Sequence, residues 1–385
     1  MNLLSSVQRQ QTIELLQSQK FDLLIIGGGI TGAGIALDAA SRGMTVALVE
    51  KRDFASGTSS KSTKLIHGGL RYLKQFEVGL VREVGRERAT VHKLAPHLVV
   101  PEKMLLPLVK GGNYGRFGTS VGLWVYDLLA GVKGDDRRKM LGKSETQKKE
   151  PLLRRDILQG SGYYAEYRTD DARLTIENIK TAVAKGAICL NYLRAEDFTY
   201  DGELINGVRC RDLAKDRELT IRADHIISAA GPWVDHLRRK DHSLKGKRLF
   251  LSKGVHIVVP HERFPVRQSV YFDNTDGRMI FAIPRQRATY IGTTDTPYDG
   301  DPDHIPITSA DVDYLVKAVN YMFPDVHLRE ADVESSWAGL RPLIHEEGKS
   351  ASEMSRKDEI FESKSGLISI AGGKLTGYRK MAERV

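Results

Sequence analysis

Cysteine is scarce in this sequence, because Cys189 and Cys210 are the only two among 385 residues. Neither residue belongs to a C-x-x-C pair or to a cluster with metal-ligand spacing. This scarcity argues against a disulfide framework and favours a reducing, cytoplasmic compartment. The histidines also lack metal-ligand spacing, so we expect no metal site. Both cysteines are expected to be small, buried apolar residues.

Long apolar runs are also missing. Met1–Lys20 lacks the continuous apolar core of a signal peptide, and the run that begins at Leu23 is broken by glycines and contains Asp38. The sequence therefore predicts no membrane-spanning helix, and any membrane contact is expected to be peripheral, at the inner face of the cell membrane. With 41% apolar and 28% charged residues, the composition is that of a globular chain with two interleaved domains.

Positive charge, in contrast, is in excess, and the formal net charge is +9. The basic residues stand in short groups, such as Arg137-Arg138-Lys139, and form no long tract. This excess suits a solvated basic surface, an anionic lipid surface or an anionic small substrate. Because no basic tract or basic heptad helix occurs, we expect no nucleic-acid partner.

The clearest pattern is a strand, turn, helix and strand that begins at residue 21. The apolar run Phe21–Ile26 is typical of a buried parallel strand. Ala33–Arg42 predicts a helix that ends at Gly43, and Thr45–Val49 predicts the next strand. Together these elements predict a βαβ unit.

A dinucleotide-binding fingerprint lies inside this unit. Gly27 allows the tight turn after the strand, Gly29 allows close approach of a diphosphate, and Gly32 allows the helix to pack against the strand. Glu50 ends the second strand, where a carboxylate accepts hydrogen bonds from a ribose. The loop of residues 56–63 (SGTSSKST) and later glycine turns at 229–231 and 371–373 favour FAD over NAD, because several separated segments suit a long, bound flavin.

The sequence resembles a known family, the bacterial, aerobic, quinone-linked, FAD-dependent glycerol-3-phosphate dehydrogenases. The segment of residues 64–73 (KLIHGGLRYL) is the most specific part of the resemblance. Residue 377 is Gly where the family usually has Thr, and the chain ends at Val385, so we expect it to lack the family's helical C-terminal domain. Five further segments are similar in the same order: AAGPWVD at 229–235, KGVHIVV at 253–259, GTTDT at 292–296, AGLRPL at 338–343 and GGKLTGYRK at 372–380.

The resemblance implies an α/β fold with a Rossmann-type FAD-binding domain of the glycine-oxidase-like flavoprotein type. Residues 20–100, 150–250 and 355–385 are expected to form this discontinuous domain. A second domain, a mainly antiparallel β-sheet plus helices, is expected from residues 251–354, and residues 101–149 are expected to be an insertion. A homodimer is a further expectation.

The implied reaction is oxidation of sn-glycerol 3-phosphate to dihydroxyacetone phosphate by hydride transfer to FAD, with the electrons passed on to a quinone. Three alternatives stay open: a glycerol-3-phosphate oxidase that uses oxygen, an amino-acid or amine oxidase of the same fold, and a non-enzymatic lipid- or nucleic-acid-binding protein. The last of these would leave the βαβ fingerprint without a purpose.

The resemblance also assigns residues to the substrate. Arg71, Tyr72, Thr294, Arg341 and Lys374 are expected to bind it, and Arg341 and Lys374 to act in catalysis as well. For these residues a surface ion pair or a packing role is the alternative.

Catalysis is also expected from a histidine. His256 is the expected proton acceptor, because its ordinary pKa is near neutral, although a histidine between Val255 and Ile257 can also be a core residue. His67 could instead be the base or contact the flavin.

The expected cofactor contacts come from four parts of the chain, which the order of motifs brings together. They are Gly27, Gly29, Ile30, Thr31, Gly32, Glu50, Lys51, Ser59, Ser60, Ser62, Thr63, Leu65, His67, Gly231, Trp233, Gly373, Leu375 and Thr376.

Overall fold

The computed structural model describes residues 4–66, 78–115, 118–120, 122–123, 137–345 and 357–385. The helices in these ranges are α1 (Arg9–Ser18), α2 (Ile30–Ser41), α3 (Val78–Leu94), α4 (Lys143–Lys149), α5 (Asp171–Ala184), α6 (Val234–Lys240), α7 (Ser309–Met322) and α8 (Tyr378–Arg384).

The strands belong to two sheets. They are β1 (Lys20–Ile26), β2 (Val46–Val49), β3 (Leu65–Ile66), β4 (Val100–Val109), β5 (Lys139–Gly142), β6 (Leu158–Arg168), β7 (Ile188–Leu190), β8 (Leu193–Asp201), β9 (Leu204–Asp212), β10 (Arg217–Ser228), β11 (Leu249–Pro260), β12 (Ser269–Asp273), β13 (Met279–Arg285), β14 (Ala288–Gly292), β15 (Thr296–Pro297), β16 (Ser335–Ile344), β17 (Asp358–Glu362) and β18 (Leu367–Gly372).

The first sheet has a parallel centre. Its order is β17-β18-β10-β1-β2-β7, and the hairpin of β8 and β9 extends it from β10. Strands β18, β10, β1, β2 and β7 run parallel to one another. Because β1 is apolar on both faces, Leu24 and Ile26 pack on the α1 side while Leu23 and Ile25 pack against α2, α5 and α8. The predicted βαβ unit and Rossmann-type sheet are confirmed.

The second sheet is mainly antiparallel, as predicted. Its order is β15-β11-β14-β13-β12-β4-β6-β3, with β16 on β11 and β5 on β6. The alternation of β11 sends Val255, Ile257 and Val259 into the core beneath α7. His256 and Val258 therefore face the other side, where Tyr290 and Trp337 lie.

The strands of the second sheet come from several of the ranges that the sequence analysis separates. Strands β3 and β6 lie within the ranges predicted for the FAD-binding domain, yet both pair in the second sheet. The predicted insertion contributes β4 and β5 to that same sheet. The chain thus crosses between the sheets more often than the sequence suggests, because an apolar strand does not reveal which partner it pairs with.

Both cysteines are free and buried, as predicted. Cys189 lies in the core on the α2 side of the first sheet, and Cys210 lies in the core on the opposite side. Burial raises the pKa of the Cys189 thiol to about 12 and the pKa of the Cys210 thiol above its ordinary value. Among the described helices, none has the length and apolar character needed to cross a membrane.

Candidate active site

A large cavity lies where the two sheets meet. It has a volume of about 2170 Å³ and is lined by the carboxyl ends of β1, β2 and β18, the turn after β10, and parts of β11 and β16. In parallel α/β sheets the carboxyl ends of the strands are the usual binding edge. Typical small-ligand pockets occupy roughly 300–1,000 Å³, so this cavity has room for a dinucleotide and a substrate together.

The glycine turn after β1 packs too closely for any side chain. Gly27 has a φ of +118°, and a Cβ there would lie 2.5 Å from the Ala229 carbonyl oxygen. A Cβ on Gly32 would lie only 1.9 Å from the Gly27 carbonyl oxygen. Helix α2 begins at Ile30, and its cap, Gly29, offers no side chain to the first-turn amides. The helix N-terminus therefore borders the cavity as a ready site for a diphosphate.

Glu50 closes this turn from the end of β2. Its carboxylate accepts hydrogen bonds from the backbone N–H of Gly28 at 2.7 Å and of Arg52 at 2.8 Å. Burial raises the pKa of Glu50 above its ordinary value. A carboxylate offers about four acceptor positions, so two are left for a ribose, and this contact stays a prediction.

The Ser/Thr loop links the nucleotide end of the cavity to the second sheet. Ser59 Oγ accepts a hydrogen bond from the Ile30 amide at 2.9 Å. Thr63 Oγ1 lies 3.0 Å from His256 Nε2. Ser60 instead donates back to the Gly57 carbonyl oxygen at 3.4 Å and does not line the cavity.

Lys51 and Trp233 form the wall on the far side of Glu50. The Lys51 ammonium lies 4.0 Å from the centre of the Trp233 ring and 2.6 Å from Asp303 Oδ1. Trp233 Nε1 is buried without a hydrogen-bond partner in the part of the chain that the structure describes. A buried indole N–H usually has an acceptor, so this donor suits a bound ligand.

Of the predicted cofactor residues that the structure describes, all except Gly32 and Ser60 line the cavity. Gly32 serves the packing of helix on strand instead. His67, Arg71 and Tyr72 lie outside the described residues, so their predicted roles stay predictions.

His256 faces the cavity from β11 between two aromatic rings. Its ring stacks on Trp337 with centroids 4.8 Å apart, and Tyr290 lies 6.5 Å away. A Cβ on Gly292 of the neighbouring strand would lie 2.1 Å from the ring, so only glycine leaves room for it. Burial, followed by the charges of Arg341 and Lys64, holds the pKa of His256 well below its ordinary value. The imidazole is therefore neutral at physiological pH and able to accept a proton.

Arg341 lies beside His256, and neighbouring residues hold its guanidinium group in place. Its two terminal nitrogens donate to Thr293 Oγ1 at 2.9 Å and to Asp295 Oδ1 at 3.3 Å. Ser252, opposite Arg341 on β11, donates to the same Asp295 oxygen. A Cβ on Gly254 would lie 2.5 Å from Arg341 Nη2, so this glycine makes space for the guanidinium.

Thr294 does not take the predicted place at the substrate. It is 2% exposed, and its hydroxyl accepts a hydrogen bond from the Val255 amide at 2.9 Å. The preceding residue, Thr293, lines the cavity instead. Lys374 is half-buried and lines the cavity at the turn after β18, and its contact with the substrate stays a prediction.

Sequence reasoning missed Asp171, a carboxyl group on the cavity wall at the first residue of α5. It is buried, and its Oδ2 accepts a hydrogen bond from Ser62. Its only signal in the sequence is its place after Asp170 at a helix start. Within the described ranges, no group of three His, Cys, Asp or Glu residues has the geometry to hold a metal ion.

The start of α2 with glycine as its N-cap, the close-packed glycine turn and the Trp233 N–H without a partner among the described residues all fit FAD. Comparison with known proteins gives the same answer, because the sequence matches the FAD dependent oxidoreductase family over residues 22–379. FAD is therefore the cofactor of this chain.

Two relatives are much more similar than the family at large. The aerobic glycerol-3-phosphate dehydrogenase of Staphylococcus aureus (strain USA300) is 58% identical over 384 residues, which are 99% of this chain and 69% of that protein. The structure of the glycerol-3-phosphate dehydrogenase from Bacillus halodurans complexed with FAD has a TM-score of 0.82 and 53% identity, over 98% of this chain and 66% of that chain. The chain thus spans about two thirds of the length of both relatives.

A more distant structure shares the fold alone. Glycine oxidase from Geobacillus kaustophilus has a TM-score of 0.71 at 21% identity, over 95% of this chain and 93% of that chain. The glycine-oxidase-like fold is thereby confirmed. The chain belongs to the FAD dependent oxidoreductases and, within them, to the family of the glycerol-3-phosphate dehydrogenases.

Proposed function

We propose that this chain oxidises sn-glycerol 3-phosphate to dihydroxyacetone phosphate. The main support for the proposal is that two groups lie on the wall of the FAD cavity. One is the neutral, buried imidazole of His256, and the other is the Arg341 guanidinium, which hydrogen bonds fix in place. A phosphorylated alcohol needs both groups, because its phosphate requires a cation and its hydroxyl requires a base. The names of the Staphylococcus aureus and Bacillus halodurans relatives support the same substrate.

Each group has a distinct task. The Arg341 guanidinium binds the phosphate, and Lys374 adds a second positive charge at the turn after β18. His256 accepts the proton of the C2 hydroxyl. Bound FAD supplies the acceptor for the hydride that leaves C2.

The bound phosphate is also expected to make His256 a stronger base. Arg341 is one cause of the low pKa of His256, since its charge opposes a second positive charge nearby. A phosphate dianion on Arg341 offsets that charge, so the imidazole accepts a proton more readily once substrate is bound. Substrates without the phosphate lack this effect and are expected to react slowly even when they bind.

The electron acceptor and the location extend this proposal. We propose that a membrane quinone takes the electrons and that the chain works at the inner face of the cell membrane. The net charge of +9 supports attraction to an anionic lipid surface. Reoxidation of the reduced protein by a quinone, measured against oxygen, distinguishes this acceptor from that of an oxidase. The homodimer stays a prediction from the sequence, and light scattering measures it directly.

The decisive experiment is anaerobic reduction of the bound flavin. The purified yellow protein should lose its flavin absorbance on addition of glycerol 3-phosphate, and should keep it with glycerol or glycine. Bleaching by glycine alone would instead identify an amino-acid oxidase.

Arg341→Ala tests the anion site separately. It removes a charged hydrogen bond of roughly 1.5–3 kcal/mol, so KM for glycerol 3-phosphate should rise strongly. Arg287→Ala is the matched control, because Arg287 is exposed and pairs with Glu334 at the outer end of the same sheet. Equal kinetics in the two variants would remove Arg341 from the site.

A further inference from the structure

One short segment connects the start of α2, helix α5 and the second sheet beside His256. Residues 59–64, called here the 59–64 segment, begin with the Ser59 hydroxyl on the Ile30 amide at the start of α2. The segment continues to the contact between Thr63 Oγ1 and His256 Nε2 at 3.0 Å. The position of the histidine ring therefore depends on how the segment is held.

The second sheet holds the segment by its carbonyl groups. Trp337 Nε1 donates to the Ser62 carbonyl oxygen at 3.2 Å, and the Tyr290 hydroxyl donates to the Thr63 carbonyl oxygen at 3.0 Å. These are the two aromatic residues that flank His256. The same two aromatic residues of the second sheet therefore fix the position of the segment and of the His256 ring.

The remaining support comes from α5. The Ser62 hydroxyl donates to Asp171 Oδ2 and accepts a hydrogen bond from the Lys64 amide at 2.8 Å. Lys64 has a φ of +56°, a conformation that side-chain-bearing residues rarely adopt without such support. Asp171 therefore stabilises the turn that directs Thr63 toward His256.

Asp171 is an unfavourable residue for stability alone. It is 1% exposed, and its Oδ1 has no hydrogen-bond partner among the described residues. Burial raises its pKa to about 6, although Ser62 and the charges of Lys64 and Arg285 lower it. A buried carboxyl group costs stability, so packing does not explain Asp171, and its hydrogen bond from Ser62 at the cavity wall points to a positioning role.

We propose that Asp171 is a positioning residue that acts through Ser62 and Thr63 to orient the His256 ring. It does not touch the reacting atoms. The inference rests on the proposed function, because it assumes that His256 is the base. It predicts that the hydrogen bond to Ser62 matters more than the charge.

The test compares four variants of the FAD-loaded protein. Ser62→Ala and Asp171→Ala each remove the hydrogen bond and should lower kcat on the order of tenfold, while KM for glycerol 3-phosphate stays within about twofold. Asp171→Asn keeps an acceptor oxygen and should retain most of kcat. Asp170→Asn is the control, because Asp170 accepts a hydrogen bond from the Arg173 amide at the start of the same helix and, among the described residues, forms no hydrogen bond with the segment.

A second measurement does not depend on turnover. The ring nitrogen signals of His256 in a 15N-histidine spectrum, identified by their loss in His256→Asn, should shift in Ser62→Ala and stay in place in Asp170→Asn. A shift without any glycerol 3-phosphate activity would refute the proposed function and leave the positioning role intact.

Two results would overturn the proposal. Ser62→Ala could show wild-type kcat and an unshifted His256 signal, or Asp171→Asn could be as slow as Asp171→Ala. If Asp171→Ala does not fold, Ser62→Ala and Asp171→Asn still decide the question. The double variant of Ser62 and Asp171 to Ala should be no slower than either single variant, because both remove the same bond.

Discussion

The two sheets build their shares of the site in different ways. The first sheet offers backbone: a glycine turn, a helix terminus and two later loops, with Glu50 as the main side chain. The second sheet offers side chains, His256 and Arg341, each held by residues from neighbouring strands. The glycine turn and Glu50 of the nucleotide end lie within residues 27–50, whereas the positions of His256 and Arg341 depend on the register of β11 with β14 and β16.

This difference predicts how each end fails. A backbone site tolerates no added atoms, so its glycines should be the most sensitive positions in the molecule. At the catalytic end, several neighbouring residues hold each functional side chain. Substitutions there should therefore change kcat or KM by graded amounts before they affect folding. Four substitutions test this contrast, from the largest expected effect to the smallest.

Gly32→Val should have the largest effect. Its Cβ would lie 1.9 Å from the Gly27 carbonyl oxygen, so α2 and the turn after β1 cannot both keep their places. We expect a loss of more than about 4 kcal/mol in unfolding free energy, with loss of bound flavin. Thermal unfolding and the flavin absorbance of the purified variant measure both. A stable, yellow Gly32→Val protein would contradict the description of the first sheet as a tightly packed cradle.

Asp171→Asn lies at the junction of the two sheets and should change stability with pH. The pKa of Asp171 is raised in the folded state to about 6, from 3.8. Its contribution is therefore fully present below pH 3.8 and is lost as pH rises through about 6. Because asparagine cannot ionise, the variant should gain stability over the wild type between pH 4 and pH 7.5, by up to about 3 kcal/mol.

Melting temperatures of both proteins across this pH range provide the measurement. Glu177→Gln is the control for this measurement, since Glu177 lies on the same helix and forms its ion pairs with Arg173 and Lys180. A difference between wild type and Asp171→Asn that does not change with pH would show that the buried carboxyl group does not titrate in this way.

Gly254→Ala should act on affinity. The added Cβ would lie 2.5 Å from Arg341 Nη2 and would displace the guanidinium from Thr293 and Asp295. We expect KM for glycerol 3-phosphate to rise about tenfold, the equivalent of one hydrogen bond to a charged group, with a smaller change in kcat. Gly79→Ala is a control, because none of the described residues has an atom within 4 Å of its added Cβ. An unchanged KM in Gly254→Ala would mean that Arg341 can bind the substrate from another position.

Lys51→Met should have the smallest effect. It removes the partly exposed ion pair with Asp303 and the contact of the ammonium with Trp233. Such pairs contribute at most about 1 kcal/mol, so stability should barely change and flavin affinity should fall only a few-fold. Flavin titration of the apoprotein measures this. A loss as large as that of Gly32→Val would show that side chains matter as much as backbone at the nucleotide end.

The sequence predicts the two ends unequally, for the same physical reason. Gly27, Gly29 and Glu50 could be read from spacing, since a tight turn and a helix start are local features. His256 and Arg341 could be named from a resemblance, but the supports around them could not. The roles of Gly254 and Gly292 follow only from the packing of neighbouring strands.

Misplaced predictions have the same origin. Thr294 was expected at the substrate, but its hydroxyl contacts the Val255 amide and Thr293 lines the cavity, a difference of one position that the sequence does not reveal. Strand β6 lies in a range expected for the FAD-binding domain, and its sequence does not reveal that it pairs with β4 in the second sheet. Asp171 was missed because its importance depends on Ser62, 109 positions earlier in the chain.

The two buried cysteines allow the opening of the nucleotide-binding half, the part built on the first sheet, to be measured. Both thiols lie in the first sheet, one on each face, and the second sheet has none. A thiol-modifying reagent reaches them only when that sheet opens, so the modification rate reports the local opening of the nucleotide-binding half. Comparing that rate with and without flavin would show how far cofactor occupancy, rather than the polypeptide alone, keeps this half closed.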